Sequence, residues 1–157
     1  MMIAVKKYIF VIPAVCLTFC VAAGAEEKNL KDYFQEARAS QKKGALENAE
    51  ENYTKAIELN RSYEVLYYGR GEVRFKKNDL DGAIAEWRAA VQVDPKYPPA
   101  QINLAEALEN KGDMQGAIAA YERFLTLVPN GADAEEVRKR VERLRGDTKS
   151  PATPEKK

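Results

Sequence analysis

The side chains that most often move protons or hold metals are nearly missing from this 157-residue chain. It has no histidine, the commonest general base and a leading metal ligand. Its two cysteines, Cys16 and Cys20, lie in an apolar stretch near the start. Ser40, Ser62 and Ser150 are its only serines, and none has the Gly-x-Ser-x-Gly setting of an exposed nucleophile. Gly69-Arg70-Gly71 lacks the third glycine of a dinucleotide loop. Asn78-Asp79-Leu80-Asp81-Gly82 lacks the distal carboxylate that a calcium loop requires and reads as a turn. The pairs Glu26-Glu27, Glu50-Glu51 and Glu135-Glu136 are adjacent along the chain and read as solvated helix faces. The expectation is a protein with no catalytic residues, no cofactor, no metal and no small-molecule substrate.

Charge narrows the partners further. If the basic N-terminal segment with Lys6 and Lys7 is removed, 23 basic residues face 24 acidic ones, a net charge of −1. That balance gives no footprint for nucleic acid. What remains is a surface for another protein.

Stepping along the chain by 34 residues makes such a surface legible. Ala49, Ala83 and Ala117 fall in one column, Tyr53, Trp87 and Tyr121 in a second, and Ala56, Ala90 and Phe124 in a third. The offsets 0, +4 and +7 share one helix face. Three copies at one period are the mark of a repeat array. No copy can bury its own apolar face, so neighbours must stack. The alanine column lets two helices approach, and the aromatic column fills the space between them. Each buried ring removes roughly 150–250 Å² from water, about 4–6 kcal/mol as an upper bound.

The positioning elements follow from punctuation. First helices are predicted over 29–43, 63–76 and 97–110, and second helices over 46–59, 80–93 and 114–127. Gly44, Asn78-Asp79 and Gly112-Asp113 supply the turns between paired helices. Asp94-Pro95 and Val128-Pro129 stop second helices, and Pro98 and Pro99 suit a first turn. Ala134, Val137, Val141 and Leu144 then recur at helical spacing, with acids early and bases late as the helix dipole favours. A charged helix with one apolar stripe, 132–145, is what must close the open end of a stack.

In period and columns the chain resembles the tetratricopeptide repeat family, with copies at 30–63, 64–97 and 98–131. Tyr33, Tyr67 and Gln101 stand at the large first-helix position, Ala37, Gly71 and Ala105 at the small one, and Gly44, Asn78 and Gly112 at the turn. Pro95 and Pro129 close two copies, and Arg61 replaces the proline of the first. The resemblance implies an all-α, right-handed superhelical array of antiparallel helix pairs, whose first helices line a concave groove for a peptide or partner helix. Its groove positions fall on Phe34, Tyr68 and Ile102 as an apolar row, then Arg38, Glu72 and Glu106. The next columns are Gln41, Phe75 and Glu109, then Lys42, Lys76 and Asn110. Phe34, Tyr68 and Phe75 would anchor the partner, with Arg38 and Glu106 setting its polarity. The alternative is that Tyr68 and Ile102 only pack between repeats. Members that grip a terminal carboxylate use lysine, asparagine and further basic residues. Here those places hold Phe34, Arg38, Gly69, Pro99 and Asn103, so that clamp is not expected.

Residues 1–25 have the layout of a secretory signal peptide. Lys6-Lys7 is a basic start, Tyr8 to Ala23 is apolar, and Ala23-Gly24-Ala25 is a small-x-small cleavage site. The 16 apolar residues, with Pro13 among them, are short of the roughly 20 that span a bilayer. Cleavage near Ala25 would remove both cysteines, and export without disulfides suits a bacterial periplasm. A retained anchor competes with this reading, and Leu17-Thr18-Phe19-Cys20 suggests a lipoprotein signal only loosely. Asn52-Tyr53-Thr54 and Asn60-Arg61-Ser62 match a glycosylation sequon by chance, since Tyr53 belongs to a helix core. Residues 146–157 are expected to form a disordered tail. The resulting expectation is a periplasmic adaptor or assembly factor. A self-associating or membrane-tethered envelope component is the alternative.

Overall fold

The computed structural model describes residues 28–149, so the signal segment 1–25 and residues 150–157 of the expected tail lie outside the described residues. Among the described residues seven α-helices follow one another: α1 (Leu30–Lys43), α2 (Leu46–Leu59), α3 (Glu64–Lys76), α4 (Leu80–Val93), α5 (Pro98–Lys111), α6 (Met114–Leu127) and α7 (Ala134–Lys149). The first six form three antiparallel pairs, and the main contacts run between consecutive helices. A smaller contact joins α1 to α3 across the groove side.

Local chemistry sets the helix ends. Asn29 opens α1 with a capping box, its side chain accepting from the amides of Lys31 and Asp32 while Asp32 accepts from the amide of Asn29. Asp79 and Asp113 cap α4 and α6, each accepting a 2.9 Å bond from the amide three residues on. The turns within the pairs need left-handed backbone. Gly44, Asn78 and Gly112 occupy the same column and take φ of 77°, 61° and 85°. Two are the residue that enters this region freely, and the third is among those that best tolerate it.

Helix α7 departs from expectation at its end. It continues through Gly146 to Lys149, four residues beyond the predicted boundary. A lone glycine weakens a helix by about 1 kcal/mol and does not stop it.

The buried apolar residues fall into two clusters. One joins the first pair to α3 through Ala37, Ala49, Tyr53, Ile57, Leu66 and Val73. The other runs from Ala83 and Trp87 through Leu104, Leu108, Tyr121 and Phe124 to Val137, Val141 and Leu144 of α7. Charged groups also tie α2, α3 and α4 together. Glu86, 6 % exposed, accepts from Arg70 at 2.9 Å and lies 3.4 Å from Arg74. Arg70 also reaches the Thr54 hydroxyl, and Glu50 pairs with Arg74 at 3.0 Å and Lys77 at 2.8 Å. The reading of Glu50-Glu51 as a solvated face is therefore corrected for Glu50, whose bond from Lys77 holds its carboxyl below the usual range. Glu51 does face solvent, paired with Lys55.

Gln101, which breaks an aromatic column, is 3 % exposed and donates to the Pro95 carbonyl at 3.4 Å. Tyr67 donates to the equivalent Arg61 carbonyl at 3.1 Å. The two unlike side chains satisfy the same turn.

Candidate functional site

The helix pairs leave a groove on the side of the first helices. Its larger hollow, about 660 Å³, is lined by Phe34, Arg38, Gln41 and Lys42 of α1, Val65, Tyr68, Glu72 and Lys76 of α3, Tyr53 of α2, and Tyr97 of the α4–α5 turn. A smaller one of about 160 Å³ shares Glu72 and Lys76 and adds Phe75, Trp87, Asn103, Glu106 and Asn110. Ten of the twelve residues expected at groove positions thus line two adjoining hollows. Ile102 and Glu109 line neither. Ile102 is half-buried against the second core cluster.

Glu109 turns away for a reason found in α7. It accepts from the Tyr121 hydroxyl at 2.9 Å and from Arg143 at 2.8 Å, with Arg140 at 3.4 Å. Arg140 also donates to Glu106 and to the Tyr121 hydroxyl, both at 3.0 Å, and its guanidinium lies over the Tyr121 ring. Glu106 keeps a place on the groove wall while holding this bond. Arg140 stands one period after Glu106, so α7 stacks as the first helix of an unfinished fourth repeat. Val137, Val141 and Leu144 are buried beneath it.

The groove floor is a hydrogen-bonded chain crossing three repeats. Tyr53 donates to Gln41 at 2.9 Å, and Gln41 donates to Glu72 at 3.1 Å. Tyr68 donates to the other Glu72 oxygen at 3.3 Å and accepts from Asn103 at 3.3 Å. Burial, with the Glu72 carboxylate nearby, pushes the phenols of Tyr53 and Tyr68 up to about 12. Burial raises Tyr97 as well. All three stay protonated at neutral pH, and the first two serve as fixed donors.

Rings form the walls. Tyr68 meets Tyr97 edge-on with centroids 5.5 Å apart. Phe34 lies 6.2 Å from Tyr53 and carries the Arg38 guanidinium over its face. Phe75, 47 % exposed, rests against Trp87 at 5.8 Å. Two glycines bring the rings this close. A Cβ on Gly69 would stand 2.4 Å from Tyr53 Cζ, and one on Gly71 would stand 2.6 Å from Trp87 Nε1. The Trp87 indole N–H donates to the Tyr68 carbonyl at 3.3 Å, so α4 positions the backbone beneath the groove's central aromatic.

Val65 and Tyr97 also line the groove and were not read from the sequence. Tyr97 had a signal, because Tyr63 stands one period before it. Among the described residues no His, Cys, Asp and Glu are grouped to hold a metal ion, and no helix is long and apolar enough to cross a membrane.

The tetratricopeptide repeat family model matches residues 34–98 and 68–132, well over half of the sequence. The chain belongs to that family, and its fold is a right-handed superhelical array of helix pairs. No curated protein matches it. Among solved structures it is similar to MamA, with 21 % identity and a TM-score of 0.70 over 78 % of this chain and 71 % of that one. It is also similar to the first tetratricopeptide domain of Spaghetti (RPAP3) bound to an HSP90 peptide, with 21 % identity, TM-score 0.67, and 78 % and 97 % of the two chains covered. A third is the Yersinia enterocolitica type III secretion chaperone SycD in complex with a peptide of the translocator YopD. There the identity is 22 % and the TM-score 0.65, over 76 % and 92 % of the two chains.

Proposed function

We propose that this protein is an interaction adaptor or assembly factor that holds a segment of another protein in its concave groove. The observation that carries the reading is the row of partly exposed rings, Phe34, Tyr68, Tyr97 and Phe75, set on hydrogen-bonded backing. Aromatic anchors fixed before binding lose little freedom on association, and so retain more of their contact energy. Two structures of similar fold hold peptides, the Spaghetti domain and SycD, which supports the same use of the fold here. The groove lacks the residues of a terminal-carboxylate clamp, so the recognised segment need not be a chain end.

Export to a bacterial periplasm is part of the proposal. Its support is the sequence pattern of Lys6-Lys7, the apolar run to Ala23 and the Ala23-Gly24-Ala25 site. The intact mass of the exported chain tests this part, with a start at Glu26 expected. A chain still carrying residues 1–25 would contradict it.

The groove itself is tested by Phe34→Ala combined with Tyr68→Ala. Loss of partner capture, with the helical circular dichroism retained, is expected. Undiminished capture would remove the groove assignment.

A further inference from the structure

The groove's charges do not balance, and the imbalance has one sign. Arg38, Lys42 and Lys76 line the larger hollow, and all three are exposed. None forms an ion pair among the described residues, although Arg38 lies over the Phe34 ring. Glu72 is the one carboxylate in that lining, and both of its oxygens already accept bonds from Gln41 and Tyr68. Three cations against one anion leave the hollow at +2.

The opposite end does not offset this. Of the two third-repeat carboxylates at groove positions, Glu109 is turned into the α6–α7 contact and Glu106 is paired with Arg140 at 3.0 Å. The helix that closes the stack thereby neutralises the groove's acidic end and leaves its basic end open.

From this we infer that the groove selects an acidic segment of a partner protein, in which carboxylates flank a large apolar residue. The inference rests on the groove reading above and adds the chemistry of the ligand. The apolar residue meets Phe34, Tyr68 and Tyr97. Carboxylates on either side meet Lys42 and Arg38, which stand one turn apart on α1, and Lys76 across the hollow on α3. A basic segment would find no free carboxylate in the larger hollow and three like charges around it.

The test is selection from a displayed library of random peptides about a dozen residues long, panned against the mature chain. Two variants are panned in parallel: Arg38→Gln/Lys42→Gln/Lys76→Gln and Phe34→Ala/Tyr68→Ala. The expected pool is net acidic with a large apolar residue between acids. Exposed pairs contribute only a few-fold each, so the best peptide should bind the charge variant about ten- to thirtyfold more weakly. Added salt should weaken the wild-type complex and leave the charge variant nearly unaffected. Enriched peptides that are neutral or basic, yet need Phe34 and Tyr68, would overturn the acidic ligand and leave the groove standing. Enrichment indifferent to the Phe34/Tyr68 variant would overturn both readings, and so would a pool with no enrichment.

Discussion

Replacing Gly71 with alanine sets two effects of opposite sign against each other. Gly71 lies inside α3, where alanine should gain about 1 kcal/mol of helix propensity. The added methyl carbon would stand 2.6 Å from Trp87 Nε1 and 2.8 Å from Trp87 Cδ1. Trp87 has little room to yield, being 3 % exposed, backed by Phe75 and bonded to the Tyr68 carbonyl. Overpacking costs about 1–3 kcal/mol, and loss of the indole hydrogen bond about 1 kcal/mol more. Against the propensity gain, a net loss of about 2 kcal/mol is expected. With a urea slope of about 2 kcal/mol/M, the midpoint should fall by about 1 M. Trp87 is the only tryptophan, so its emission follows both the unfolding and the shift of the ring. An unchanged or raised midpoint with unaltered emission would refute the close approach of α4 to α3. Gly69→Ala, facing Tyr53, should behave alike.

Three other perturbations probe the framework. Glu86→Ala leaves Arg70 without its carboxylate, beside an Arg70 Nε that is buried and unpartnered, and should cost about 3 kcal/mol in chemical denaturation. A loss near zero would mean the α3–α4 ion pair is not formed. Arg140→Ala should destabilise by about 1 kcal/mol, and a double-mutant cycle with Glu109→Gln should show coupling of about 0.5 kcal/mol or more. Absence of coupling would detach α7 from Glu109. Because the folded phenols of Tyr53 and Tyr68 sit near 12 against 10.0 for a free phenol, folding holds their protons more tightly. That stability is complete below pH 10 and is lost as the pH rises towards 12. Burial also raises the Tyr97 and Tyr121 phenols, so ultraviolet titration of the folded chain should show four late-ionising tyrosines, and ionisation of Tyr53 and Tyr68 near pH 10 would contradict the buried floor.

Most of the framework was legible because the repeat displays each constraint three times. The second helices run as predicted, and the first helices differ by one residue at their ends. Gly44, Asn78 and Gly112 mark left-handed turns in one column, and the prolines fall where helices stop or begin. The groove was legible as columns and not as charges. Whether Glu106 and Glu109 face a ligand depends on where α7 lands, a tertiary outcome that no single column encodes. One clue existed, since counting another 34 residues from Glu106 reaches Arg140. The Glu86–Arg70 pair was hidden for another reason. Opposite charges sixteen residues apart gain meaning only once α3 and α4 lie side by side.

The groove claim is met most directly by photocrosslinking in cells. A photoreactive residue would replace Phe75, exposed in the groove, and in a second strain Arg88, exposed on α4 outside both groove hollows. The account predicts that Phe75 captures one dominant partner protein and that Arg88 does not capture it. Adducts from Arg88 alone, or only of the protein with itself, would contradict the claim.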